Sequence, residues 1–222
     1  MDPKVIVVIG LCILLMLWYG AGYLYNRRRG QRLFHWLETG LDVLGGKRES
    51  GWIGSPASGA RVKVVHAAPP FRRMEITLLL ENREMPLLWL FDRLRGKRDR
   101  FIIRATLRSP ERGEVEVGSA RRKAARHREQ PWEWQEEPHG LAAAYSGPGA
   151  QRQVAALEPW LEIYGPHLHR FSWRKRDPHI QLQVNAGGLL ATSSEIFLAD
   201  LKSAVQEAKH VKKNEADHCE DL

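Results

Sequence analysis

The sequence predicts an α+β fold in which a single N-terminal transmembrane helix is followed by a cytoplasmic domain of mixed helices and strands. Three observations predict it. The run Val5–Tyr25 contains no charged residue. Behind it, short segments rich in β-branched and aliphatic residues alternate with apolar windows opened by proline or closed by glycine. An amphipathic helix with a capping signal then ends the ordered part of the chain. Across 222 residues, 43% hydrophobic and 27% charged content belongs to a globular chain, neither disordered nor many times membrane-spanning.

As a helix, Val5–Tyr25 extends roughly 31 Å at ~1.5 Å per residue, which matches a ~30 Å hydrocarbon core. Trp18, Tyr19, Tyr23 and Tyr25 gather toward its C-terminal half, where an interfacial aromatic belt sits. Arg27, Arg28 and Arg29 follow, with Arg32 one turn on, a stop-transfer cluster that a cleaved signal peptide lacks. Lys4 is the one basic residue before the run. Positive residues stay inside, so the N-terminus is expected outside and the remainder in the cytoplasm.

Gln31–Leu44 has helical periodicity: Leu33, Phe34, Trp36, Leu37, Leu41 and Leu44 share a face opposite Arg32, His35, Glu38 and Asp42. With four arginines beside it, this segment is expected to lie along the headgroups as a juxtamembrane amphipathic helix, the alternative being the first helix of the domain core. Gly45-Gly46 stops it, and the Gly, Ser and Pro content up to Gly59 predicts a linker. Arg61–Ala67 and Arg72–Glu81 read as a strand pair, and Pro86 opens a short helix over Leu87–Arg95 that Gly96 closes. Phe101–Arg108 and Glu114–Val117 are the next strands, joined by a turn at Ser109–Gly113. The second alternates strictly, as a half-exposed edge strand does.

Ala120–Glu129 is a basic connection. Trp132–Glu136 and Leu141–Tyr145 then predict strands, Gln151–Tyr164 a helix that Pro159 should kink or delay, and His167–Arg174 with His179–Val184 a hairpin. The recurrence of strand–strand–helix–strand–strand suggests an internal duplication. Thr192-Ser193-Ser194-Glu195 fits a capping box with Thr192 as the cap, and Phe197, Leu201, Ala204, Val205 and Ala208 form the buried face behind it. The chain thus divides into an anchor (1–26), a juxtamembrane helix (27–46), a linker (47–59), a soluble domain (60–211, with candidate halves 60–118 and 131–211) and a polar, disordered tail (212–222).

Motifs for chemistry are sparse. Walker-type phosphate loops, G-x-S-x-G elbows, H-E-x-x-H and paired C-x-x-C are absent, and no cofactor is called for. Gly147-Pro148-Gly149 before a helix reads as a turn rather than an anion site. Cys12 lies in the apolar run and Cys219 in the polar tail, so the two do not bridge. The weak metal candidates are His167 and His169, two apart on a predicted strand, with His179 on the return; that last histidine sits at the wrong end of the hairpin to complete the set. Trp132, Trp134 and Glu136 share a strand face beside Glu133 and Glu137, a pattern that fits an amphipathic strand better than a ligand pocket.

Charge carries more information. The formal net charge of +8 lies wholly after the anchor, because residues 1–26 hold one Asp and one Lys. It concentrates in Arg93–Arg104, with Arg95, Lys97, Arg98 and Arg100, and in Arg121, Arg122 and Lys123. The first stretch directly follows Leu87–Phe91, so bulky apolar side chains adjoin a cationic end. That combination suits an anionic lipid surface, whereas a core position for Leu87–Phe91 would leave the arginines merely solvated. Nucleic acid would answer the same charge, but no binding motif supports it. The expected function is a membrane-anchored, non-catalytic binding, scaffold or accessory-subunit protein for another membrane protein or complex. The alternatives are a tethered enzyme with its pocket near Trp132–Trp134 or the His167–His179 hairpin, or an anionic-lipid or nucleic-acid module.

Overall fold

In the computed structural model, which describes residues 2–109, 113–119, 134–137 and 140–210, one helix runs unbroken from the apolar stretch into the domain. This helix, α1, spans Pro3–Gly40, with Asp2 capping its start. A 3-10 turn, Leu41–Leu44, extends it. Gly45 and Gly46 end it at φ of 58° and 77°, and a Cβ on Gly46 would lie 2.4 Å from the Val65 carbonyl oxygen. The strands are β1 (Lys47–Trp52), β2 (Gly59–Val65), β3 (Phe71–Leu79), β4 (Arg100–Leu107), β5 (Glu114–Ser119), β6 (Trp134–Glu137), β7 (Leu141–Ser146), β8 (Leu168–Trp173) and β9 (Ile180–Asn185). Helix α2 (Pro86–Leu94) joins β3 to β4, α3 (Ala150–Tyr164) joins β7 to β8, and α4 (Ser194–His210) follows a single helical turn at Ala186–Leu189.

The nine strands among the described residues form one sheet in the order β1-β2-β3-β4-β9-β8-β5-β7-β6, and every one of these pairings is antiparallel. β-branched and aliphatic residues at alternate positions make one face apolar: Val62 and Val64, Met74, Ile76 and Leu78, Phe101 and Ile103, Leu182 and Val184 are all buried. Leu33 and Leu37 of α1, Leu157 and Trp160 of α3, and Leu201 and Val205 of α4 pack into the same core. Phe197 ties the three helices together, with ring centroids 5.1 Å from Tyr164 and 6.2 Å from both Trp36 and Trp160. At the alternate positions Arg61, Lys63 and Arg104 are exposed.

Several sequence-based expectations are corrected. Residues 27–46 are not a separate helix lying on a membrane. They continue α1, and Leu33, Leu37, Leu41 and Leu44 are at most 2% exposed because their stripe meets the apolar sheet face. Residues 47–59 are not simply a linker, since Lys47–Trp52 hydrogen-bonds along β2 as an edge strand whose six side chains are all exposed. That exposure explains its polar, strand-poor composition. β4 and β5 are not a hairpin. β4 lies between β3 and β9, while β5 is an interior strand between β8 and β7. Glu116 of β5 is buried and takes an ion pair from Arg170 at 3.1 Å, so alternation there reflects a buried charge rather than an edge.

Pro159 neither breaks nor delays α3, which runs through it. Buried Leu157, Trp160, Leu161 and Tyr164 on either side of Pro159 hold the helix against the local penalty. The cap of α4 is Ser193, not Thr192: the Ser193 hydroxyl accepts from the Ile196 amide at 3.2 Å, while the Thr192 carbonyl accepts from Trp36 Nε1 at 2.8 Å. The basic connection 120–129, the start of the predicted strand at Trp132 and the tail 212–222 lie outside the described residues.

Candidate functional site

The notable constellation lies where α1 leaves its apolar run and meets the β3–α2–β4 segment. Asn26, the first polar residue after Tyr25, is 1% exposed. Its amide donates to the Glu81 carbonyl at 2.8 Å, and its side-chain oxygen accepts from Arg83 at 2.8 Å. Arg83 grips both oxygens of Asp99 at 2.9 and 3.0 Å and lies 3.2 Å from Glu81. Asp99 also accepts from the Glu81 backbone amide at 2.9 Å and from Arg29 Nε at 3.2 Å. The Asp99 and Glu81 side chains are 4% and 3% exposed. Burial alone would push the Asp99 carboxyl up, yet the hydrogen bonds from Arg83 and the Glu81 amide prevail and hold it below its ordinary range. Burial likewise works against the Arg83 charge, and the bonds to Asp99 reverse that to a net upward shift.

Glycines let the backbone come this close. A Cβ on Gly22 would sit 2.4 Å from the Arg83 carbonyl oxygen, and one on Gly30 would sit 2.1 Å from that of Pro56. Gly22, Asn26, Gly30, Leu33 and Leu37 recur every three or four residues, so a single stripe of α1 is docked on the domain. Trp18 extends the contact, donating from Nε1 to the Arg83 carbonyl at 3.0 Å and packing 5.9 Å from Trp89. N-terminal to this stripe, the large apolar side chains from Val5 to Tyr19 are 41–75% exposed. α1 is the one helix among the described residues that is long and apolar enough to cross a membrane.

Helix α2 stands beside that exposed stretch. Pro86 begins it at a position where a missing N–H is harmless. Trp89 faces the domain, with Nε1 donating to Glu81 at 3.0 Å, and Asp92 pairs with Lys97 at 2.7 Å. On the far side Leu87, Leu90, Phe91 and Leu94 are 83%, 50%, 49% and 79% exposed. Leu87–Phe91 therefore do not enter the core. The helix has no buried residue.

The sequence-predicted residues fall into separate groups. Arg27, Arg28 and Arg32 point to solvent, whereas Arg29 turns inward to Asp99. Tyr25 lies beneath the Arg83 guanidinium, 5.1 Å from ring centroid to Cζ, so Trp18 and Tyr25 make domain contacts, while Tyr23 is half-buried. Lys97, Arg98 and Arg100 come together around a cavity of about 330 Å3 that also includes Glu81, Asp92 and the apolar Leu79 and Leu80. Arg95 covers the Phe91 ring at 3.8 Å. Arg121, Arg122 and Lys123 lie outside the described residues.

The three histidines do not converge. His167 belongs to the 3-10 turn Gly165–His167, so it does not share a strand face with His169. Its ring fills the space over Gly188, where a Cβ would come within 2.3 Å of Nδ1. His179 is buried at the opposite end of the β8–β9 pair and accepts from the Leu107 amide at 3.1 Å. Among the described residues no group of His, Cys, Asp or Glu is arranged to hold a metal. Trp134 is half-buried on the edge strand β6 and Glu136 is exposed, while Trp132 and Glu133 lie outside the described residues.

Sequence reasoning missed Asn26, Glu81, Arg83 and Asp99. Two signals point to them in retrospect: a lone asparagine ending an apolar run, and a single acid inside the basic stretch Arg93–Arg104. No protein-family model matches the chain, and no curated protein sequence matches it as a relative.

Proposed function

We propose that this chain is a single-pass membrane protein, with its α+β domain in the cytoplasm, that serves as a binding or accessory subunit for another membrane component. The observation that supports it is the continuity of α1: the exposed apolar stretch and the core residues Leu33 and Leu37 belong to one helix without a joint. Trp18, Gly22 and Asn26 are bonded to or fitted against the domain, so removal of the apolar run as a signal peptide would open the fold at Arg83 and Glu81. Exposed Arg27, Arg28 and Arg32 supply the positive-inside bias for a cytoplasmic domain.

Orientation is tested with protease added to intact cells or protoplasts. Residues 47–222 stay uncut if the domain is inside, and ready digestion reverses the orientation. The accessory role is tested by extracting the tagged full chain in mild detergent. A membrane protein recovered with it in fixed ratio supports the proposal. Recovery of the chain alone, under conditions that keep other membrane complexes intact, refutes it.

A further inference from the structure

The exposed side of α2 adjoins the exposed stretch of α1. Leu15, Met16 and Tyr19 of α1 and Met85, Leu87 and Leu88 of the α2 segment line one groove of about 590 Å3, in which Glu84 is the one charged residue. The apolar surface is therefore continuous from one helix to the other. We propose that α2 is a second membrane-seated element, lying in the cytoplasmic leaflet beside α1 with Leu87, Leu90, Phe91 and Leu94 in the acyl region. This rests on the proposal that α1 spans the bilayer.

Geometry supports lipid as the occupant. Position on α1 sets the depth: contact at Leu15–Tyr19 falls at the domain end of the exposed run, about one helical turn inside the Trp18–Tyr19 level. An interfacial helix buries its apolar face to ~5–10 Å, which is that depth. The run from Pro3 to Tyr19 then extends roughly 25 Å, the short end of the range for a spanning helix, which a bilayer meets by thinning locally. Rotation of α2 agrees as well. Trp89 and Asp92 point to the domain, and the leucines point away from it. Charge completes the fit, because Arg93, Arg95 and Lys97 are exposed at the end of the helix that returns to the domain, where anionic headgroups would meet them.

The test uses the full chain, with Cys12→Ala and Cys219→Ala, in dilute proteoliposomes containing anionic lipid. Single cysteines at Leu14→Cys, Leu87→Cys, Leu94→Cys and Arg104→Cys carry an environment-sensitive fluorophore, challenged with lipid-attached and aqueous quenchers. The expected result is lipid quenching at 14, 87 and 94 and aqueous quenching at 104. Lipid quenching at 14 with aqueous quenching at 87 and 94 overturns the seating of α2 and leaves the anchor standing. Aqueous quenching at 14 removes both. Shielding of 87 and 94 from both quenchers places a second copy of the chain on α2 and also overturns the lipid assignment. As an independent measure, Leu87→Ser/Leu90→Ser/Leu94→Ser alters only exposed positions; trypsin cleavage after Arg93–Lys97 in vesicles should become at least about tenfold faster, given the transfer free energy of three leucines. An unchanged cleavage rate refutes the proposal.

Discussion

Asp99→Asn is the substitution that most directly probes how α1 is held. The side chain keeps its shape and loses its charge, leaving Arg83 with Glu81 as its remaining carboxylate partner and Arg29 with none in this network. Asp99 is 4% exposed and accepts four hydrogen bonds, three of them from guanidinium groups. Removing one member of such a buried pair costs about 3–5 kcal/mol. Because each ~1.4 kcal/mol is a factor of ten, the local opening constant should rise by roughly two to three and a half powers of ten. Amide exchange of α1 residues 23–33, in the full chain in micelles, reads that constant directly. Protection should fall there while β3, β4 and β9 keep theirs. A loss below about 1 kcal/mol, the range of solvated pairs, would refute the claim that this network is what clamps the helix.

Three further outcomes follow from the same geometry. Gly30→Ala places a Cβ against the Pro56 carbonyl oxygen and should destabilise the protein by about 1–3 kcal/mol in thermal melts, whereas Gly10→Ala, with nothing within 4 Å, should be neutral or slightly stabilising. The Asp99 carboxyl is held below its unfolded value, so its contribution is present above about pH 4 and is lost as pH falls through the lowered folded value; acid should release α1 protection first, and Asp99→Asn should abolish that acid limb. Trp36→Phe removes the 2.8 Å bond to the Thr192 carbonyl while keeping most of the ring contact with Phe101, and should cost about 1–3 kcal/mol in chemical denaturation, the penalty of an unsatisfied acceptor.

Much of this fold is legible in periodicity. The strands with strong apolar alternation, β2, β3, β4 and β9, and the amphipathic face of α4 announce themselves, because burial on one face leaves a pattern that needs no partner to interpret. Positions whose conformation depends on something distant do not. β1 carries Lys, Arg, Glu, Ser and Gly, and only the free edge offered by β2 makes it a strand. The strict alternation of β5 resembles an edge, until Arg170 arrives from β8 to neutralise Glu116. Pro159 is tolerated because packing on both sides of it outweighs one lost hydrogen bond. At the candidate site the same logic holds: the basic run Arg93–Arg104 is visible, but the importance of its one acid, Asp99, arises from Asn26 and Arg29, some seventy positions earlier.

The continuity of α1 also decides what kind of tether it would make. A flexible linker gives a domain a raised effective concentration at the membrane and free choice of orientation. Here Gly22, Asn26, Gly30, Leu33 and Leu37 are all docked on the domain, and the Arg83–Asp99 clamp closes over the same stretch of helix. A domain splinted in this way takes its orientation from the helix. If α1 spans the bilayer, α2 is brought to the leaflet at a fixed depth, and the β1 edge keeps a fixed height above it. Such an arrangement lowers the entropic cost of meeting a partner that is confined to the same membrane, since much of the rotational freedom is removed before contact. Inserting a flexible glycine-serine segment between Tyr19 and Gly20 separates the two cases. It leaves the exposed stretch Pro3–Tyr19 whole but uncouples depth from docking, so a partner recognised through fixed orientation should be lost from mild-detergent eluates, while one recognised by effective concentration alone should be retained.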